Sequence, residues 1–170
     1  MLVLSAPTPS NLVPHIHPQQ TTFSIAAVDQ HLAFAGAATA SRYPAVGALT
    51  IHAEAGAGVV VTQSVADRIH ARRALPLLRS GEMPESVLEA ILEDDPLPNL
   101  RQIGLLRWDG EYALYSGKDC VDHVSVSAFG RTIALGNMLA NGDVPRKMVE
   151  RFNEVLVSGT DDSRSNEAQS

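Results

Sequence analysis

The chain has 170 residues, a hydrophobic fraction of 45% and a formal net charge of −6. This length suits one domain with its own core, and the hydrophobic content is that of a globular protein, not a disordered one. The acidic balance disfavours a nucleic-acid partner, because a nucleic-acid-binding surface needs clustered Lys and Arg to neutralise phosphates.

The sequence also disfavours a membrane partner. No apolar stretch approaches the roughly 20 residues that span a bilayer, and the opening residues lack the basic flank of a signal peptide. Cys120 is the single cysteine, which excludes a disulfide within the chain and favours a reducing compartment. We therefore expect a cytoplasmic protein.

The two ends of the chain differ from its middle. Residues 1–20 contain four prolines, and each removes a backbone hydrogen-bond donor, so a flexible Pro-rich leader is predicted there. Residues 158–170, SGTDDSRSNEAQS, contain no large apolar side chain and predict a disordered polar tail. A single folded domain is expected over residues 21–157.

Four apolar runs open this domain and predict four strands. FSIAAVD and HLAFAGAATAS are joined at residues 29–31, and AVGALTIHAEA and AGVVVTQ follow. Their near-continuous apolarity predicts strands that are covered on both faces. The small residues of AGAATA indicate a strand face that another element approaches closely.

Two helices are predicted next, from apolar residues at helical spacing. The first ends near Gly81, a common helix-stopping residue. The second begins near Pro84, which is accepted in the first turn of a helix, and ends before Pro96. The apolar stripes are Val65, Ile69, Leu75 and Leu78 in the first helix, and Val87, Leu88, Ile91 and Leu92 in the second.

The remaining elements are two strand pairs and a helix. In RQIGLLRWDGEYALYSG, the pair Asp109–Gly110 predicts a hairpin with a type I′ turn, in which both turn residues have positive φ. HVSVSAF and TIALGNM predict a second pair hinged at Gly130, and a last helix is expected over residues 144–157. The order of elements predicts an α+β fold with a largely antiparallel sheet.

Familiar catalytic and cofactor motifs are missing. AGAGVV has the wrong glycine spacing for a dinucleotide fingerprint, and the sequence contains no HExxH, GxSxG or CxxC. His15 and His17 have no further ligands at suitable spacing for a metal, and Cys120 is interpreted as a small buried hydrophobic residue. We expect no cofactor and no metal.

Polar side chains stand where three predicted strands end. Such positions are where loops begin and binding sites are often built. Each residue could equally be a cap or turn residue, and Thr62 or Ser64 could cap the helix that follows. The residues are Ser41 and Arg42, Thr62 and Gln63, and Asn137.

Six segments resemble a known family, the domain of unknown function 1028, which is grouped with the N-terminal nucleophile (Ntn) hydrolases. The resemblance runs from about residue 22 to residue 152, and it implies an Ntn-hydrolase-like αββα layered sandwich. The segments are, in order, TTFSIAAVD, ATASRYPAVGA, AGAGVVVTQS, ALPLLRSGEMPESVLEAILEDDP, RQIGLLRWDGEYALYSGKDC and ALGNMLA.

The resemblance also implies a mechanism. Thr22 would head the first strand as the mature N-terminus, its hydroxyl would attack an amide carbonyl, and its α-amine would serve as general base. Arg42, beside Ser41, would hold a substrate carboxylate. Thr62, Gln63 and Asn137 would line the pocket or supply oxyanion donors.

Two departures from the family leave two hypotheses open. Thr22 is internal here, so it must be released by cleavage. Further C-terminal strands typical of the family are missing, so the sheet is expected to be incomplete and its open edge to favour a homo-oligomer. The first hypothesis is a hydrolase of a small amide or peptide-like substrate, and the second is a non-catalytic binding or assembly module. A free N-terminus at Thr22 would favour the first.

Overall fold

The computed structural model describes residues 21–29, 31, 34–121 and 123–167, and of residues 158–167 only the backbone. The leader predicted over residues 1–20 lies outside the described residues. So do the last three residues of the predicted tail.

The described chain contains eight strands and four helices. This confirms the predicted α+β class. In chain order the strands are β1 (Thr22–Asp29), β2 (Phe34–Ser41), β3 (Ile51–Glu54), β4 (Gly58–Ser64), β5 (Arg101–Arg107), β6 (Tyr112–Ser116), β7 (Ser125–Phe129) and β8 (Thr132–Asn137), and the helices are α1 (Gly47–Thr50), α2 (Arg68–Arg79), α3 (Pro84–Glu93) and α4 (Val144–Glu167).

The strands form two antiparallel sheets of four strands each. The first sheet has the order β2-β1-β8-β7, and the second has the order β3-β4-β5-β6. Helices α2 and α3 pack on the second sheet, whereas α4 packs on β1, β7 and β8 of the first. The two sheets face each other, with β1 against β4 and β5 against β8.

Successive side chains of β4 point to opposite faces of the strand, so β4 contributes to two hydrophobic clusters. Val60 packs in the cluster that joins the second sheet to α2 and α3. Its neighbours Val59 and Val61 point to the other side and pack in the cluster between the two sheets. Because all three side chains are buried, the continuous apolar run VVV follows from burial on both faces. This confirms the prediction that β4 is covered on both faces.

Gly104 in β5 lies where the two sheets pack closely together. A Cβ atom at this position would lie 2.8 Å from Leu135 Cδ1 and 3.0 Å from Ile133 Cδ1. Both of these side chains belong to β8 of the first sheet, so a larger residue at this position would force them to shift.

The predicted type I′ turn between β5 and β6 is wrong. Gly110 has a φ of 101°, but Asp109 is not among the residues with positive φ. The amide of Gly110 donates to Arg107 O and the amide of Arg107 donates to Glu111 O, which is a type I turn followed by a glycine bulge. The guanidinium of Arg107 binds the Asp109 carboxylate at 2.7 and 2.9 Å and holds this turn.

Three other expectations also need correction. The segment GALT forms the short helix α1 instead of continuing a strand. The small-residue strand β2 is an edge strand with mostly exposed side chains, and nothing lies within 4 Å of a Cβ built on Gly36. Helix α4 runs through Glu167, where a tail was predicted from residue 158. No proline interrupts this segment, and the single Gly159 costs a helix only about 1 kcal/mol.

A buried ion pair fixes the loop after α3 to β5. Arg101 donates to Asp95 through Nε at 2.8 Å and through Nη2 at 2.9 Å, and the two side chains are 5% and 2% exposed. Burial alone would raise the pKa of Asp95, but hydrogen bonds from Arg101, the Leu97 amide and His70 outweigh it and leave this pKa below its ordinary value.

We predict that Asp95→Asn lowers the free energy of unfolding by about 3–5 kcal/mol at neutral pH, because Arg101 then loses its buried counter-charge and keeps only the longer contact with Asp67 at 3.7 Å. The exposed neighbour Asp94, paired with Arg73, supplies the control: Asp94→Asn should cost less than about 1 kcal/mol. Urea unfolding measures both values, and equal losses would contradict the prediction.

The stabilisation by Asp95 should also depend on pH. Because the folded-state pKa is lowered, the contribution is fully present above the ordinary carboxyl pKa of about 4 and is lost as the pH falls through the lower folded-state pKa. The difference between the native chain and Asp95→Asn should therefore shrink below about pH 4, and a constant difference down to pH 2 would refute this.

Candidate functional site

One end of the two-sheet sandwich is polar, and Thr22 lies at its centre. Thr22 is the first residue of β1, and it pairs across the first sheet with Ser41 at the end of β2 and with Asn137 at the end of β8. Its side chain is buried, and Thr22 Oγ1 lies 3.0 Å from Ser41 Oγ. Residues paired directly across strands point to the same face, so all three side chains project between the sheets.

Two residues further along β1, Ser24 connects the first sheet to the second. Its hydroxyl lies 2.9 Å from Thr39 Oγ1 and donates to Gln63 Oε1 at 2.7 Å. Ser24 and Gln63 are both 0% exposed. A buried polar group costs free energy unless it is hydrogen-bonded, and this pair satisfies each partner across the gap between the sheets.

Gln102 of β5 is the hub of this end of the molecule. Its Nε2, which carries two hydrogens, lies within hydrogen-bond distance of three acceptors: Ser116 Oγ at 3.1 Å, the carbonyl of Ser125 at 3.2 Å and the carbonyl of Gly136 at 3.0 Å. Carbonyl oxygens can only accept, so the nitrogen of Gln102 must face them. Its Oε1 therefore faces the opposite way, where it accepts from Gln63 Nε2 at 2.8 Å and from Asn137 Nδ2 at 3.1 Å.

The direction of these hydrogen bonds determines the orientation of both neighbouring amides. Gln63 must present its nitrogen to Gln102, so its oxygen faces Ser24, which donates to it. Asn137 must likewise present its nitrogen to Gln102. The Asn137 oxygen Oδ1 is then left without a hydrogen-bond partner although the residue is 0% exposed, and it is the open end of the network.

The structure brings together four of the six residues that the sequence singled out, and separates two. Thr22, Ser41, Gln63 and Asn137 belong to the connected polar end described above. Thr62 points the other way, towards the helices, where its Oγ1 lies 3.2 Å from His70 Nδ1. Thr62 is therefore a part of the cluster beneath α2 and does not line the space beside Thr22.

Arg42 follows Ser41 at the rim of the polar end. It is exposed and makes no hydrogen bond or ion pair with the described residues, so its guanidinium is available to solvent or a ligand.

Gln63, by contrast, is hydrogen-bonded inside the core through both its oxygen and its nitrogen. It therefore positions Ser24 and Gln102 and does not itself reach a ligand.

His70 completes a buried hydroxyl, imidazole and carboxylate series with Thr62 and Asp95. His70 Nε2 lies 2.6 Å from Asp95 Oδ2, and Thr62 also accepts a hydrogen bond from the amide of Asp67 at 3.3 Å. Thr62 and His70 are both buried, and the Thr62 hydroxyl already has His70 and the Asp67 amide as hydrogen-bond partners, so it is not available as a nucleophile. The series connects β4 to α2. The cap of α2 is Asp67, whose side chain accepts from the Ile69 amide, and not Thr62 or Ser64.

Backbone strain is concentrated at the polar end. Among the described residues, every non-glycine residue with positive φ lies at this end, either in a loop or, for Ser64, at the last position of a strand. Such residues cost roughly 1–3 kcal/mol each and cluster at functional sites. They are Ala45 at 54°, Ser64 at 68°, His123 at 51° and Met138 at 50°.

Cys120 also lies near this end but lacks the character of a nucleophile. It is half-buried, its Sγ lies 3.3 Å from the Arg101 carbonyl, and burial raises the pKa of its thiol above the ordinary value. A raised pKa keeps the thiol protonated at neutral pH. Within the described ranges, no group of three or more His, Cys, Asp or Glu side chains could hold a metal ion.

The family model for the "Family of unknown function (DUF1028)" matches residues 22–161. The chain belongs to this family. The crystal structure of protein SPO2555 from Silicibacter pomeroyi, assigned to the same family, is similar with a TM-score of 0.73 and 28% identity, covering 76% of this chain and 60% of that chain. The DUF1028 chain thus spans about 60% of the length of this relative. None of the curated proteins compared with it is similar.

The sequence did not single out two residues that organise the DUF1028 polar end, Ser24 and Gln102. Ser24 could have been found from the period of two in a strand, which puts it on the same face as Thr22. Gln102 directly precedes the apolar run IGLL of β5, and a polar residue in a buried strand signals a buried partner. One partner of Gln102, Asn137, lies on the other sheet, and no local pattern in the sequence reveals it.

No helix among the described residues is long and apolar enough to cross a membrane.

We predict that Gln102→Leu lowers the free energy of unfolding by about 3 kcal/mol or more, because it removes the acceptor of two buried amide nitrogens and the donor to two backbone carbonyls, at roughly 1–3 kcal/mol for each buried group left unsatisfied. Gln63→Leu is the matched comparison: it removes one donor and one acceptor and should cost less. Urea unfolding gives both values, and a smaller loss for Gln102→Leu would contradict its role as hub.

Proposed function

We propose that this DUF1028 protein is an amide hydrolase of the N-terminal nucleophile type, which acts on a small amide or peptide-like substrate through Thr22. The observation that carries the proposal is the position of Thr22. It is the first residue of the inner strand β1, its hydroxyl lies at the strained polar end of the sandwich, and it faces Ser41 and Asn137.

The packing of the sheets also supports the proposal. Helices α2 and α3 pack on the second sheet and α4 on the first, which fits the αββα order of an Ntn-hydrolase-like sandwich. Fold kinship alone does not determine chemistry. The proposal therefore rests on the residues at the polar end. The order of the layers is consistent with it but does not carry it.

In the proposed reaction the Thr22 hydroxyl attacks the substrate carbonyl carbon. The α-amine of Thr22 takes the hydroxyl proton as general base and passes it to the leaving amine, and an ester between Thr22 and the acyl group remains. Water then attacks this ester and releases the acid. The exposed guanidinium of Arg42 at the rim suits a carboxylate on the substrate, which it can bind through two parallel hydrogen bonds.

The proposal requires cleavage of the peptide bond between Thr21 and Thr22. In the structure Thr21 precedes Thr22, and its hydroxyl donates to the Met138 carbonyl at 2.8 Å. The nitrogen of Thr22 is then a peptide amide, which is no base at neutral pH. Cleavage would turn this nitrogen into an amine. It would also release the Met138 carbonyl from its hydrogen bond with the Thr21 hydroxyl.

The hydrogen bond between Thr21 and Met138 favours a second candidate function, a non-catalytic binding or assembly module. If the bond to Thr21 stays intact, Thr22 has no base beside it, and the polar end can bind a ligand without hydrolysing it. A homo-oligomer remains a prediction under both candidates. The exposed edge strand β2 is the surface that could pair with a second copy, and light scattering at micromolar concentration would test it.

We predict that Thr22→Ala lowers amide hydrolysis at least about a thousandfold, because it removes the nucleophile, while Thr22→Ser keeps a hydroxyl and part of the activity. Thr50→Ala, at a buried threonine of α1, is the matched control and should keep the native rate. Release of amine from a set of small amides measures all three. A Thr22→Ala variant with the native rate would refute the hydrolase proposal.

A further inference from the structure

We propose that Asn137 Oδ1 accepts a hydrogen bond from an N–H group of the substrate, so that the site selects an amide against the corresponding ester or carboxylate. This inference rests on the proposed function for the location of the ligand, beside Thr22. It goes further by assigning the atom that recognises the ligand and the kind of group that the ligand must present.

The first step is the orientation of the Asn137 side chain. The carbonyls of Ser125 and Gly136 fix the nitrogen of Gln102 at distances of 3.2 and 3.0 Å, and Gln102 Oε1 therefore accepts from Asn137 Nδ2 at 3.1 Å. The reverse orientation would place two oxygens at hydrogen-bond distance from each other. The oxygen of Asn137 must therefore be its open atom, and a hydrogen-bond acceptor.

The second step is that this acceptor has no partner within the described part of the chain. Asn137 is 0% exposed, and Oδ1 is one of two buried side-chain polar atoms without a hydrogen bond among the described residues. The nearest cross-strand neighbour is Thr22, and the hydroxyl of Thr22 pairs with Ser41 at 3.0 Å. Native proteins satisfy nearly all such atoms, so we expect a donor from outside this network: a bound water in the free protein, and a ligand group that displaces this water in the complex.

The third step concerns the chemistry of that donor. A carboxylate or an ester oxygen would meet Oδ1 with an acceptor against an acceptor, which is repulsive in a buried site. An amide N–H supplies the missing donor and carries no charge to desolvate. A site that hydrogen-bonds an N–H discriminates against an analogue that lacks it, because the buried acceptor is then left unpaired. Asn137 therefore acts as a specificity-determining residue.

Two near-isosteric probes test this inference: N-methylacetamide, which has the N–H, and methyl acetate, which has an oxygen in its place. Both are titrated into the full ¹⁵N-labelled chain carrying Thr22→Ala, so that neither is turned over. We expect N-methylacetamide to bind at least about tenfold more tightly and to shift the side-chain amide signals of Asn137. Equal affinity for the two probes would overturn the inference.

Variants at two asparagines provide the controls. Asn137→Leu should abolish the preference for the amide, whereas Asn153→Leu, on α4 away from Thr22, should keep it. If Asn137→Leu does not fold, Asn137→Ala removes the same acceptor with a smaller side chain and should also abolish the preference, and a folded Asn137→Ala that keeps the preference for the amide would overturn the inference.

The binding and hydrolysis results separate the inference from the proposed function. An amide preference that depends on Asn137, in a native chain that hydrolyses no amide, would refute the hydrolase and leave the recognition role of Asn137 standing. Hydrolysis that depends on Thr22, without an amide preference in binding, would refute the recognition role of Asn137 and leave the hydrolase proposal standing.

Discussion

The amide side chain of Gln102 is the constraint on which the polar end of this DUF1028 protein depends. It lies between two sheets and bonds to five groups, three through its nitrogen and two through its oxygen. Because two of its partners are backbone carbonyls, its orientation is fixed, and that orientation determines which atoms Gln63 and Asn137 present. Buried polar networks of this kind favour one arrangement of the sheets, since a half-satisfied network is costly. A site built on such a network has its acceptor and its nucleophile candidate held in one geometry before any ligand binds.

The active-site proposal and the stability of the sandwich therefore depend on the same contacts. Thr22 is held through strand pairing with Ser41 and Asn137, and the strands that pair with it are connected to the second sheet by Gln63 and Gln102. The left-handed residues Ser64 and Met138 directly follow or end the strands that carry these side chains. Their strain is tolerated because the surrounding packing and hydrogen bonds outweigh it. The ion pair of Asp95 with Arg101 has a different role: it fixes the helices to the outer side of β5 and leaves the space beside Thr22 unaffected.

Most of the elements could be predicted from the sequence, because period and turn residues are local. The run VVV and the stripe of α3 follow from burial on defined faces, as do Leu75 and Leu78 of α2. The other two residues predicted for the stripe of α2 were wrong: Val65 precedes the helix, and Ile69 is exposed. Two details could have been found locally. Arg107, which holds the turn, is only two residues from Asp109, and Thr62 must face away from Gln63 because side chains alternate along a strand. One feature could not be predicted, since it depends on a distant residue. The orientation of Asn137 follows from Gln102, on another sheet and far away in the chain. The family resemblance was needed to single out Thr22, and nothing local distinguishes it from an ordinary strand residue.

The most direct test of the central claim is the intact mass and N-terminal sequence of the protein purified without a tag from its own host. The account predicts a chain that begins at Thr22, since only then is the α-amine available as the base beside the hydroxyl. A chain that retains the peptide bond between Thr21 and Thr22 would contradict the hydrolase, and would make the polar end a binding site without catalysis.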